Sequence, residues 1–97
     1  MTTDSLIEVL NARIAALPSH DDWGWSVKSE TDEDGDGYVM LTVAYPDDCK
    51  PEGEEYTDEP WDAFGDVPDG WESGMDNDSA GTVFQYIEWK VMGGELQ

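Results

Sequence analysis

Basic residues are scarce in this chain: Arg13, Lys28, Lys50 and Lys90 are the only four among 97 residues. Cysteine and histidine occur once each, as Cys49 and His20. A single cysteine allows no intramolecular disulfide, which excludes a disulfide-stapled extracellular module and leaves a free thiol suited to a reducing cytoplasm. No apolar run is long enough to cross a bilayer, and no basic segment followed by an apolar one opens the chain as a secretory signal would. With so few cations the protein is expected neither to bind nucleic acid directly nor to sit on an anionic membrane.

Catalytic groups are equally thin. His20 stands beside Asp21 and Asp22. Such a pair can orient a base, but no nucleophile accompanies it. Cys49 follows Asp47 and Asp48, whose negative charge raises a thiol pKa and blunts its reactivity. No glycine-rich motif cradles a phosphate. The expectation is a protein without catalytic residues, metal or cofactor, and not an enzyme.

What the chain has in excess is acid. It carries 24 Asp and Glu, for a formal net charge of −20. Solubility in a small domain asks for a net charge of only about 2–8, and self-repulsion on this scale destabilises a compact state. The excess therefore calls for a functional reason. Five tryptophans in the same chain argue against simple disorder, because they are enough to build one thin core.

The periodicities predict one α+β domain spanning residues 1–97, monomeric, with two layers. Leu6, Val9, Leu10, Ile14 and Leu17 recur at helical spacing and predict a helix over Ser5 to Ala16. Thr3 or Ser5 would cap it, Ser5 with Glu8 fits a capping box, and Pro18 would close it. Alternation predicts strands over Trp23 to Glu30, Tyr38 to Tyr45 and Thr82 to Met92. The helix is expected to pack on this three-stranded antiparallel sheet, with a long acidic connection before the last strand. Tyr38, Met40, Phe84 and Tyr86 fall on the second sheet face, which the connection is expected to cover in part. Within the connection, Glu59 to Phe64 reads as a short helical turn with Pro60 at its first position.

The sharpest short motif is Asp32-Glu33-Asp34-Gly35-Asp36-Gly37. It matches the first half of a calcium-binding EF-hand loop, with acids at loop positions 1, 3 and 5 and glycine at 6. The match ends there: Val43 stands where the bidentate glutamate belongs, and the flanks read as strands. A polar hairpin turn is the plainer account.

The distributed acids carry the stronger signal. Between Pro46 and Ala80 lie Asp47, Asp48, Glu52, Glu54, Glu55, Asp58, Glu59, Asp62, Asp66, Asp69, Glu72, Asp76 and Asp78, against Lys50 alone. They alternate with Gly, Pro and aromatics, which suits carboxylates displayed on a folded scaffold. These thirteen are the candidate partner-binding residues, with Trp61 and Trp71 as candidate aromatic anchors, core packing being the plainer account of both. Duplex DNA carries one charge per roughly 1.7 Å, so twenty charges correspond to roughly 34 Å of duplex. A compact chain of this length has a radius of gyration of about 12–13 Å and is on the order of 30 Å across. Its charge per unit length would then match that of DNA.

In size, single-domain build and charge, the chain resembles the DNA-mimic inhibitors of phages and mobile elements, among them anti-restriction and acidic anti-CRISPR proteins. The resemblance covers the whole chain and rests on type rather than on a diagnostic motif, so no individual residue role transfers. It implies a partner in the cytoplasm of a bacterial host: a basic nucleic-acid-binding protein or complex, such as a restriction enzyme or an RNA-guided surveillance complex. Alternatives are an immunity protein or antitoxin that neutralises a basic nuclease, a haloadapted domain, and a calcium-binding module.

Overall fold

The computed structural model describes residues 2–17, 22–68, 70–77 and 81–96. Helix α1 spans Thr3–Ala16. Leu6 and Leu10 on its apolar stripe are fully buried, and Val9, Ile14 and Leu17 are half-buried. The N-cap is Thr2, not Thr3 or Ser5 as the sequence suggests: its hydroxyl oxygen accepts the Ser5 amide at 3.2 Å. Thr2 is held extended by a β-bridge to Glu95, so the helix begins immediately after it. At the other end Leu17 is extended, as a residue before proline prefers. Pro18 and His20 lie outside the described residues.

The strands are β1 (Gly24–Thr31), β2 (Gly37–Pro46), β3 (Trp71–Asn77), β4 (Thr82–Met92) and β5 (Glu95–Leu96), with a short helix α2 at Glu59–Phe64. They form one antiparallel sheet in the order β1-β2-β4-β3, with β5 also pairing with β4. The protein is α+β, but its sheet has five strands where periodicity predicts three. The two additions are strands that alternation does not mark. β3 contains Gly74 opposite Tyr86, and any side chain at Gly74 would collide with the Tyr86 ring. The aromatic ring thus covers a glycine that would otherwise weaken an edge strand. β5 is only two residues long, formed because the chain turns back at Gly93–Gly94.

That turn docks on the acidic loop between β1 and β2. Asp32 Oδ1 accepts the amides of Asp34 and Asp36 at 2.9 and 3.0 Å. Asp36 Oδ1 accepts the Gly93 amide at 3.0 Å, and the Gly35 carbonyl accepts the Gly94 amide at 2.8 Å. Asp32 and Asp36 of the calcium-like motif therefore bond to backbone, and Asp36 with Gly35 holds the two turns together. Among the described residues, no cluster of three or more His, Cys, Asp or Glu is arranged to hold a metal ion. None of the described helices is long and apolar enough to cross a membrane.

One sheet face carries the core: Val39, Leu41, Val43 and Tyr45 of β2 with Val83, Ile87, Trp89 and Val91 of β4. Helix α1 covers the half of this face around Val39, Leu41, Trp89 and Val91. The rest, around Val43, Tyr45 and Val83, is packed by Trp23, Trp25, Trp61 and Met75. This corrects one expectation. Among the described residues, the buried apolar side chains of the acidic connection pack on the same face as α1, and Tyr38, Met40, Phe84 and Tyr86 stand outside both apolar clusters. The physical reason is length: a helix of 14 residues is about 21 Å long and leaves apolar sheet uncovered, which the aromatics of the connection bury.

Candidate functional site

The connection is anchored by its apolar side chains and by a few buried hydrogen bonds. Pro60 and Phe64 of α2 are buried. Trp61 meets Trp25 edge-on with centroids 5.0 Å apart, and Phe64 lies 5.0 Å from the same Trp25 ring. The Tyr45 hydroxyl donates to Gln85 Oε1 at 2.7 Å and accepts the Thr57 amide at 3.0 Å, all within the buried interior. Trp89 Nε1 donates to the Pro68 carbonyl at 3.1 Å. Arg13 reaches across from α1, donating to the Asp66 carbonyl, with its guanidinium 5.8 Å from the Phe64 centroid. Aromatic burial therefore orders an acidic segment whose charge alone would keep it solvated.

The carboxylates face outward. Asp47, Asp48, Glu52, Glu54, Glu55, Asp58, Glu59, Asp62, Asp66, Glu72 and Asp76 are all exposed. Asp69 and Asp78 lie outside the described residues. Lys50, the connection's only cation, pairs with Asp47 at 2.8 Å, three residues away. The acids do not share a single face. Glu72 and Asp76 stand opposite Glu88 and Phe84 in the sheet register, on the face away from α1 and α2. A further acidic group, Asp32 to Asp36, caps the far end of β2, whose ten residues span roughly 30 Å. The molecule measures 44 × 28 × 19 Å with a radius of gyration of 14.2 Å, longer than a compact chain of its size.

Cys49 is half-buried, and its thiol is pushed up first by burial and then by the charges of Asp22 and Asp48. A thiol held protonated in this way is a poor nucleophile.

The structure also forms a feature the sequence does not reveal. Between the connection and the core-side surface of β3 lies an open groove of about 790 Å³. Trp61, Val67, Trp71, Met75 and Ile87 are its apolar lining residues, and Tyr56, Asp58 and Asp66 line it too. Trp61, offered by the sequence as anchor or core residue, is mainly a core residue through Trp25 and Phe64. Trp71 remains 43% exposed and Tyr56 45%. Only the position of β3 against β4 sets Trp71 on this side, opposite Trp89.

Comparison with known proteins finds no match to this chain among protein-family models, curated proteins or solved structures.

Proposed function

We propose that the protein is a non-catalytic, acidic inhibitor. It occupies the Lys/Arg-lined nucleic-acid site of a host protein or complex, such as a restriction enzyme or an RNA-guided surveillance complex in a bacterial cytoplasm. The observation that carries the reading is the exposure of eleven connection acids, nine of them away from the sheet face that holds Glu72 and Asp76, on an anchored backbone. A duplex as long as the 44 Å axis bears about 26 charges at one per roughly 1.7 Å, against the protein's 20. The match in charge density is about three quarters, close enough to steer encounter with a DNA-binding channel.

Competition tests it. The protein and a duplex of about 13 base pairs, roughly 44 Å at 3.4 Å per pair, should exclude one another on the target, with binding that weakens steeply as salt rises. A ternary complex of target, duplex and protein overturns mimicry. A second reading has its own observation: an apolar groove beside the acids goes beyond what imitating phosphates requires. It suits an immunity protein that grips one basic nuclease by shape as well as charge. In that case the inhibitor binds beside the nucleic-acid site, and the ternary complex forms.

A further inference from the structure

The groove between the connection and β3 is charged and apolar in a particular combination. The exposed large apolar side chains among the described residues are Tyr56, Trp71 and Met92, and the first two line this one groove. The acidic residues Asp58 and Asp66 also line it, and among the described residues no Lys or Arg does. Aromatic faces carry negative potential, so rings and carboxylates together favour a cation that is partly desolvated. A guanidinium fits such a surroundings better than an ammonium: it is flat, stacks on aromatic rings, sheds water more readily and bridges to carboxylates in two places. The protein already contains this mode in miniature. Its own Arg13 lies over the Phe64 ring while donating to the backbone of Asp66, at the edge of the same connection.

We propose that this groove is the specificity pocket of the interface and takes an arginine side chain from the partner protein. The inference rests on the inhibitor reading above and deepens it. Long-range charge brings the partner in, and the groove with Trp71 at its wall selects the arginine that anchors it.

The test uses the full chain and three capped peptides of one sequence, carrying arginine, lysine or citrulline at the same position. Binding is followed by the indole and Asp58/Asp66 signals in NMR spectra. The arginine peptide should shift the Trp71 and Trp61 indoles and bind about fivefold tighter than the lysine peptide. The citrulline peptide should leave both indoles unmoved. Trp71→Ala should remove the preference for arginine over lysine. The doubly substituted Asp58→Asn/Asp66→Asn protein, altered only at exposed side chains, should weaken the arginine peptide and spare the indole environment in its absence. Equal binding of the arginine and lysine peptides overturns the proposal, as does an arginine preference that survives both variants. Failure of the wider reading looks different: the duplex and the protein would bind a target together while the arginine preference of the groove persisted.

Discussion

Tyr45 and Thr57 are twelve residues apart, and the Tyr45 hydroxyl oxygen accepts the Thr57 amide at 3.0 Å where both are buried. The same hydroxyl donates to Gln85 at 2.7 Å, so one side chain joins β2, β4 and the acidic connection. Tyr45→Phe removes the shared atom and leaves an amide and a side-chain carbonyl buried without it. The expected loss is about 1–3 kcal/mol, read as a lower urea midpoint. Hydrogen exchange at Thr57 should accelerate more than exchange in α1.

Alkali attacks the same junction. Burial pushes the Tyr45 phenol above its ordinary value of 10.0, outweighing the Thr57 hydrogen bond that acts the other way. The folded state thus prefers the neutral phenol. Its contribution is complete below the ordinary value and is lost as pH rises through the folded one. Stability should fall above about pH 10, and Tyr45→Phe should flatten that fall. An unfolding series across this range, for both proteins, checks it.

Salt should act in the opposite sense. With a net charge of −20, screening relieves repulsion among exposed carboxylates. The melting temperature should rise between low and physiological ionic strength, and the chain should already be folded in dilute buffer. A requirement for molar salt would mark a haloadapted domain instead.

Glu72 and Glu88 face each other across β3 and β4. Like charges directly opposed weaken a sheet, and an opposite pair gains about 0.2–1 kcal/mol. Glu72→Lys should therefore raise stability by an amount of that order, measured by denaturant unfolding. Since Glu72 lies on the sheet face away from α2, the change should disturb binding less than reversals between Glu54 and Glu59.

Those reversals are Glu54→Lys with Glu55→Lys, and Asp58→Lys with Glu59→Lys. All four side chains are exposed, so circular dichroism should be unaltered. The first pair, away from the groove, should act chiefly through the association rate. The second includes Asp58 of the groove and should also speed dissociation, by a cost of about 2–5 kcal/mol if that carboxylate meets a desolvated arginine. Unaltered binding in both would place the interface elsewhere.

How much of this was legible in the chain depends on the range of the signal. Helix α1 shows in Leu6, Leu10 and Ile14 because helical spacing is a property of neighbouring residues, and β4 runs over Thr82–Met92, the bounds its alternation predicts. The turn at Pro60 is likewise local and becomes α2. β3 escapes notice because Trp71, Ser73 and Met75 alternate with Glu72, Gly74 and Asp76 too weakly to mark a buried face, and its glycine is tolerable only under the Tyr86 ring. The acids of the candidate surface are read directly, but that Glu72 and Asp76 point away from the others follows from β3 pairing, which no local pattern records.

The sequence by itself determined the charge, the α+β class and the helix and strands whose period is repeated along the chain, since each is fixed by composition or by residues a few positions apart. Tertiary structure alone decided which sheet face the acidic connection covers. It brought Trp25 against Trp61, and Arg13 against Phe64 and Asp66, across long separations in the chain. It also opened the groove beside Trp71. The reason is that burial is non-directional and proportional to the area removed from water. The aromatics of the connection go wherever apolar sheet remains uncovered, and that is known only once α1 has taken its place.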